Sequence, residues 1–252
     1  MVFMKFENKK IITGIITAID PIHIGAPDLD GLDPTRADNA VVKDANGNPI
    51  IPGSSLKGVI RSNFEAVLRD ADKRICDVFD NVCLSDDDVN AILKDEKKTP
   101  LEQAEEIYEK SCDVCRLFGG KGIASKLQFK DCSFAGEKCV YEYRSAASID
   151  RETGTSVSKY NFELVPKGTR FNFYMTAENI DDEQDGYLDC IIKMLCSGEL
   201  SVGAKTTSGS GRIQLSEIKQ TEISIDDLRR ELVFPDSQEI QELNPAFVKK
   251  IR

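Results

Sequence analysis

The order of apolar patterns along the chain limits its possible folds more than any other feature of the sequence. Alternating or continuous apolar runs predict four strands, at residues 10–19, 125–134, 170–178 and 212–218. Apolar residues at three- and four-residue spacing predict one helix after Pro52 and another over residues 185–197. The resulting order, strand–helix–strand–strand–helix–strand, is that of the split βαβ, ferredoxin-like arrangement, so we expect an α+β fold.

Two segments interrupt this order. Residues 73–123 hold four cysteines and an acidic run, and we expect helices near 86–94 and 100–110. Residues 144–163 are polar and rich in Ser and Thr, which predicts a protruding hairpin. We therefore predict a single domain over residues 1–252, with a Cys-rich, helical insert and a hairpin.

The charge of the chain does not exclude a nucleic-acid partner. A net charge of −10 argues at first against one, because phosphate binding needs a positive field. The acidic surplus is concentrated in residues 61–115, however, whereas residues 116–215 carry equal numbers of acidic and basic side chains. The rest of the molecule can still present basic patches.

The apolar runs are all shorter than the 18 or so residues that a membrane span needs. The first 20 residues lack the apolar core and small-residue cleavage site of a secretory leader. We expect a cytoplasmic protein without a membrane partner. Its eight cysteines are then thiols or metal ligands rather than disulfides.

Four of the cysteines form two short-spaced pairs in the insert. Cys76 and Cys83 form the first pair, and Cys112 and Cys115 form a CxxC pair. Two such pairs provide the four thiolates of a closed, tetrahedral zinc site. The alternative is four buried, reduced cysteines. We favour structural zinc, because a mostly polar insert needs a metal to stay folded.

The helix after Pro52 begins with an arrangement that can bind an anion. Lys57 and Arg61 lie four residues apart, on one helical face. Ser54 and Ser55 add hydroxyl groups beside the unpaired N–H groups of the first turn, and one of them is expected to cap the helix. These groups suit a phosphodiester backbone. The alternative is an ordinary solvated helix face.

A glycine-rich loop at residues 203–211 is a weaker candidate. Gly203, Gly209 and Gly211 allow a backbone to approach a ligand closely, and Lys205 adds charge. The loop has neither the ending of a P-loop nor the strand-to-helix context of a dinucleotide site. A ferredoxin-like domain that binds a small metabolite at this loop remains an alternative.

Catalytic candidates are few. The single histidine, His23, lies between apolar residues, which favours a structural imidazole over a general base. The loop at residues 26–38 contains four aspartates, including Asp33 and Asp38. Such carboxylates can hold a divalent ion or orient a reacting hydroxyl, although Asp-rich loops are more often solvated turns.

Several stretches, in the same order along the chain, resemble the RAMP superfamily of CRISPR-associated proteins: residues 23–25, 41–44, 49–61, 149–153, 162–171 and 203–211. Together they cover most of residues 10–215. The chain is most similar to the repeated backbone subunit of type III effector complexes. The resemblance implies a ferredoxin-like palm with a thumb hairpin, stacked with copies of itself or related subunits along a guide RNA beside other effector subunits.

The resemblance also implies roles for individual residues. Lys57 and Arg61 become guide-phosphate contacts, and the loop at 203–211 lies against the same backbone. Arg151, in the hairpin, takes the place where the family's thumb enters between guide and target.

It further implies that the chain cuts target RNA. Asp38 occupies the position of the family's cleavage residue, with Asp33 as the alternative, and Mg²⁺ or another divalent cation assists. Two alternatives within the family are a non-catalytic RNA-binding scaffold and a guide-processing endoribonuclease. The second commonly uses histidine chemistry, which the lone His23 argues against.

Overall fold

A computed structural model of the chain describes residues 6–26, 39–71, 73, 75–77 and 82–224. Its strands are β1 (Asn8–Ala18), β2 (Ile50–Ile51), β3 (Leu127–Phe129), β4 (Cys132–Phe134), β5 (Glu142–Ile149), β6 (Ser156–Leu164), β7 (Arg170–Glu178) and β8 (Ile213–Ser224). Its helices are α1 (Gly53–Asp70), α2 (Asp86–Leu93), α3 (Pro100–Lys110), α4 (Asp113–Phe118) and α5 (Asp182–Cys196). None of these helices is long and apolar enough to cross a membrane.

The main sheet has the strand order β2-β4-β7-β1-β8, and β3 pairs with β7 beside β4. All of its paired strands are antiparallel. Ile12 and Ile16 of β1 are fully buried and share one core with the apolar faces of α1 and α5. The α+β class is therefore confirmed, and the antiparallel sheet with its two crossover helices is consistent with a ferredoxin-like fold.

The predicted strand at residues 125–134 is instead two short strands, separated by Lys130 and Asp131. Asp131 leaves the ladder because its carboxylate accepts the backbone N–H of Gly53, at 2.8 Å, at the start of α1. Gly53 fits there because it has no side chain: a Cβ would lie 2.5 Å from the carbonyl oxygen of Phe129.

The prediction that Ser54 or Ser55 caps α1 is wrong. The helix begins at Gly53, so Pro52 is the N-cap residue and no side chain of its own caps the helix. Both serines lie inside the first turn. Their N–H groups are among those that an α-helix leaves without an intrahelical partner.

The last strand and last helix are both longer than predicted at one end. β8 continues to Ser224 because it pairs with β1 along nearly its whole length, with a bulge between Thr13 and Ile15. α5 begins at Asp182 because Asp181 and Gln184 form a capping box.

Within the insert, α2 and α3 pack around a small core of their own, whereas α4 joins the main core. Both predicted helices are present, and each begins with a capping box, at Ser85 for α2 and at Thr99 for α3. The short helix α4, which carries Cys115, was not predicted because six residues are too few to show a helical pattern.

The hairpin predicted at residues 144–163 is also present. β5 and β6 form a separate two-stranded sheet, paired from Glu142 with Leu164 towards Ile149 with Ser156. Its inner end is joined to the rest of the molecule by two bridges, from Phe162 to Asn39 and from Val165 to Ile22.

Candidate functional site

Four cysteines converge at one end of α4. The sulfur atoms of Cys76, Cys83, Cys112 and Cys115 all lie within 4.8 Å of one another. The Sγ of Cys76 is 3.4 Å from that of Cys115 and 3.7 Å from that of Cys112. In a tetrahedral site with Zn–S bonds of about 2.3 Å, sulfur atoms are about 3.8 Å apart. The donor set and spacing of this cysteine cluster therefore fit a single metal ion.

The cysteines of the cluster alter one another's pKa values. A hydrogen bond from the Cys115 thiol lowers the pKa of Cys112 to about 4. The same hydrogen bond raises the pKa of Cys115, and burial raises that of Cys83 to about 12. Four thiolates so close together would repel one another, so holding all four in the ionised form requires a cation between them.

Arg61 faces the cysteine cluster. Its Nη2 lies 3.7 Å from the Sγ of Cys115, and its Nη1 donates to the carbonyl oxygen of Gly119 at 3.1 Å. Its Nε donates to Glu65 at 2.9 Å. A guanidinium has five N–H donors, so these three contacts leave part of the group available for an RNA phosphate.

Lys57 lies one turn before Arg61. Burial, and secondarily the charge of Arg61, lowers the pKa of Lys57. Among the described residues, no carboxylate forms an ion pair with the Lys57 ammonium. Ser54 is exposed and Ser55 half-buried at the same helix start. The predicted residues are thus neighbours, with Lys57 the cation that is free of an ion pair in this part of the chain.

The glycine-rich loop packs mainly on the protein itself. A Cβ on Gly203 would lie 2.2 Å from the carbonyl oxygen of His23, and one on Gly211 would lie 2.5 Å from that of Val202. Gly209, with φ +79°, has open space around it. Internal packing therefore explains two of the three glycines, and Gly209 is the one whose surroundings can admit a ligand.

Lys205 joins this loop to the inner end of the hairpin. Its Nζ lies 4.0 Å from the ring centroid of Phe162 and 4.7 Å from that of Tyr160. The same atom is 3.2 Å from the Tyr160 hydroxyl. A cation among aromatic rings is an arrangement that nucleic-acid-binding surfaces use.

Asp33 and Asp38, with the rest of residues 27–38, lie outside the described residues. Residues 22–26 and 39–43, the loop stems, are described on either side. Two backbone hydrogen bonds join the stems. The Ala26 N–H donates to the carbonyl oxygen of Ala40, and the Val42 N–H donates to that of Ile24, both at 2.9 Å. The two stems of the Asp-rich loop, called the acidic loop below, therefore lie side by side.

His23, on the first of the loop stems, is buried. Its Nδ1 lies 2.7 Å from the carbonyl oxygen of Glu163, and its ring packs edge-on against Phe162. These contacts agree with a structural imidazole.

Sequence reasoning missed Glu163. It lies between Phe162 and Leu164 on β6, where a charged residue in an alternating strand normally faces solvent. In the structure it is only 2% exposed and contacts the second loop stem. A single sequence carries no signal that would separate such a buried carboxylate from a solvated one.

Arg151 lies in the tight turn at the outer end of the hairpin and is exposed. The turn is fixed by the Asp150 carboxylate, which accepts the N–H groups of Glu152 and Thr153, each at 2.8 Å. The neighbouring Ile149 side chain is 63% exposed. The outer end of the hairpin thus presents a cation and an apolar side chain to solvent.

Comparisons with known proteins agree on one family. The sequence model of the RAMP superfamily matches residues 15–214. The chain is 24% identical to "CRISPR system Cms endoribonuclease Csm3" of Methanothermobacter thermautotrophicus, over 90% of this chain and 92% of the relative. It is 29% identical to the protein of the same name from Methanocaldococcus jannaschii, over 86% of this chain and 82% of the relative.

Proposed function

Because the chain belongs to the RAMP superfamily, we propose that it is a guide-RNA-binding backbone subunit of a type III CRISPR complex and that it cleaves target RNA. Both relatives are named as endoribonucleases of a CRISPR system. The observation that carries the proposal is the meeting of three segments at the inner end of the hairpin: the loop stems, the glycine-rich loop with Lys205, and the aromatic side chains of β6.

RNA binding uses cations from separate elements. Lys57, with part of Arg61 and the first-turn groups of Ser54 and Ser55, contacts guide phosphates. The loop with Lys205 and Gly209 contacts the same backbone, together with Gly203 and Gly211, which shape it. Arg151 enters between guide and target from the outer end of the hairpin. Exposure supports the roles of Ser54, Gly209 and Arg151, and the neighbouring charge of Arg61 lowers the pKa of Lys57, after the effect of burial.

Assembly explains how an acidic chain can bind RNA. Each subunit contacts only a few nucleotides, and several copies or related subunits stacked along one guide add their affinities. Each stacked subunit consists of a ferredoxin-like palm with a thumb hairpin, and other effector subunits contact the stack. Only the acidic helices of the insert, α2 and α3, then need to lie away from the RNA path.

Asp38 is the proposed cleavage residue, with Asp33 as the alternative. It directly precedes Asn39, which is bridged to Phe162 at the inner end of the hairpin. The carboxylate orients the attacking 2′-hydroxyl or holds a divalent cation such as Mg²⁺, which when bound would neutralise charge on the scissile phosphate.

The cysteine cluster is a structural zinc site in this proposal. Four thiolates close the coordination sphere, so the site is suited to holding the insert together rather than to chemistry. Support comes from the sulfur spacing and from the charge that four thiolates would carry.

The test compares Asp38→Ala with Asp33→Ala in the assembled, guide-loaded complex. Asp38→Ala should bind complementary RNA normally and lose divalent-dependent cleavage by about a hundredfold or more. Asp33→Ala is the matched control and should still cut. The reverse result would move the cleavage residue to Asp33. Wild-type complex that binds target and never cuts it would favour the non-catalytic scaffold.

A further inference from the structure

Glu163 is a buried carboxylate that none of the roles above uses. It is 2% exposed, on β6 near the inner end of the hairpin. A buried carboxylate is unfavourable unless its oxygens are paired or hydrogen-bonded. The hydrogen-bond partners of Glu163 therefore identify the segments that it holds together.

The carboxylate binds two separate segments. Oε2 accepts the backbone N–H of Val41 at 3.0 Å, and Oε1 accepts from the Lys43 ammonium at 2.8 Å. Both donors belong to the second loop stem. Oε1 also accepts from the hydroxyl of Tyr143, on β5 of the hairpin, at 3.1 Å.

The backbone of the same residue binds both loop stems. The Glu163 N–H donates to the carbonyl oxygen of Asn39 at 3.0 Å. Its carbonyl oxygen lies 2.7 Å from Nδ1 of His23, which is on the first stem. One residue thus joins both loop stems and the hairpin.

Asn39 directly follows Asp38 in the chain, so the Cα atoms of these two residues are about 3.8 Å apart. The hydrogen bond that fixes Asn39 therefore acts one residue away from the proposed cleavage residue. Lys43 also contacts the ring of Tyr141, with Nζ 4.1 Å from the centroid, so the second stem also contacts the segment just before β5.

We infer that Glu163 is a positioning residue for target-RNA cleavage, which holds the two loop stems against the inner end of the hairpin. The inference rests on the proposed function. It assigns Glu163 no contact with RNA. The rate should be sensitive to it because a displacement of about 1 Å in a reacting group can slow a reaction by about a hundredfold.

The experiment uses assembled, guide-loaded complex carrying Glu163→Gln. The amide keeps the size of the side chain and an oxygen for the Val41 N–H, but loses the charge that pairs with Lys43. Three quantities are measured: target-RNA affinity, the cleavage rate at saturating target, and the nucleotides at which the cuts fall.

We expect the cleavage rate at saturating target to fall about tenfold, with target affinity within about twofold of wild type. Cuts should also spread to neighbouring nucleotides. A merely structural role would lower the yield of complex and leave the rate and position of cutting per assembled complex unchanged. Wild-type rates and positions in Glu163→Gln would therefore overturn the inference.

Tyr143→Phe provides a second variant in case Glu163→Gln does not assemble. It removes one donor to the carboxylate and keeps the ring, so we expect a twofold to threefold slower cut at about the wild-type affinity. An unchanged rate in Tyr143→Phe would overturn the inference in that case.

Asp185→Asn is the matched control. It breaks another ion pair of a lysine, Lys10 with Asp185 at 2.5 Å, which joins β1 to α5. Its cleavage rate should equal that of wild type. Wild-type complex that never cuts would overturn the proposed function and this inference with it, whereas normal cutting by wild type and Glu163→Gln alike would overturn the inference alone.

Discussion

The cysteine cluster and the inner end of the hairpin each hold a polar segment onto the domain, by different means. In the cysteine cluster, four sulfur atoms face one another, and Arg61 offers one positive charge beside them. At the hairpin, the Glu163 carboxylate already has its donors from the chain, including an oppositely charged lysine.

The difference shows which region depends on something outside the chain. The four sulfur atoms of the cysteine cluster are placed to hold one metal ion, and as four thiolates they would need that cation between them. The hairpin end is complete without one, since the backbone and side chains supply its hydrogen bonds. We therefore expect metal removal to affect the insert and to spare the loop stems.

The largest effect should follow from removing one sulfur. Cys112→Ser keeps the start of α4, because serine is a favourable N-cap residue, but removes a metal ligand. Zinc content should fall from one ion per chain to nearly none, and the insert at residues 73–123 should become sensitive to protease. Metal analysis and limited proteolysis measure both.

Cys139→Ser is the control for this substitution, since Cys139 lies outside the cysteine cluster against the main core. It should retain zinc. Freshly prepared wild-type protein without zinc would contradict the assignment of the cysteine cluster.

A smaller effect should follow from adding one methyl group to the glycine-rich loop, which Lys205 joins to the inner end of the hairpin. Gly203→Ala places a Cβ 2.2 Å from the His23 carbonyl oxygen, so the free energy of unfolding should fall by about 3 kcal/mol. Gly209→Ala, in open space at φ +79°, should lower it by only about 1 kcal/mol, from backbone strain. Chemical denaturation measures both, and equal losses would show that the loop is not packed as described.

The smallest effects concern the helix between the two regions. Lys57→Ala should weaken RNA binding for every sequence alike and lower the salt slope by about one unit, with zinc retention unchanged. Arg61→Ala should do the same and also release zinc faster to a chelator, because Arg61 contacts Cys115. If both variants bind RNA as wild type does, α1 presents only a solvated face.

Local signals were enough to predict the elements whose ends are fixed by their own residues. α2 and α3 begin with capping boxes that are visible in the sequence, and both were predicted within a few residues. The meeting of the four cysteines was predicted as well, because two short-spaced pairs are the pattern of a four-sulfur metal site.

What was missed depends on partners that are distant along the chain. The strand at 125–134 breaks because Asp131 binds the start of α1. The sequence indicates an unpaired cation at Arg61, whereas in the structure α4 places Cys115 against its guanidinium. Glu163 reads as a solvated strand residue until the second loop stem covers it. No local pattern encodes these contacts.

The central claim is that this chain cuts target RNA within a guide-loaded assembly. Its most direct test is to incubate wild-type complex and divalent cation with complementary RNA and to map every cut along the target. We predict several cuts at a regular spacing, set by the subunit repeat, and none in an RNA that does not pair with the guide. Complementary RNA that is bound but recovered intact would contradict the claim.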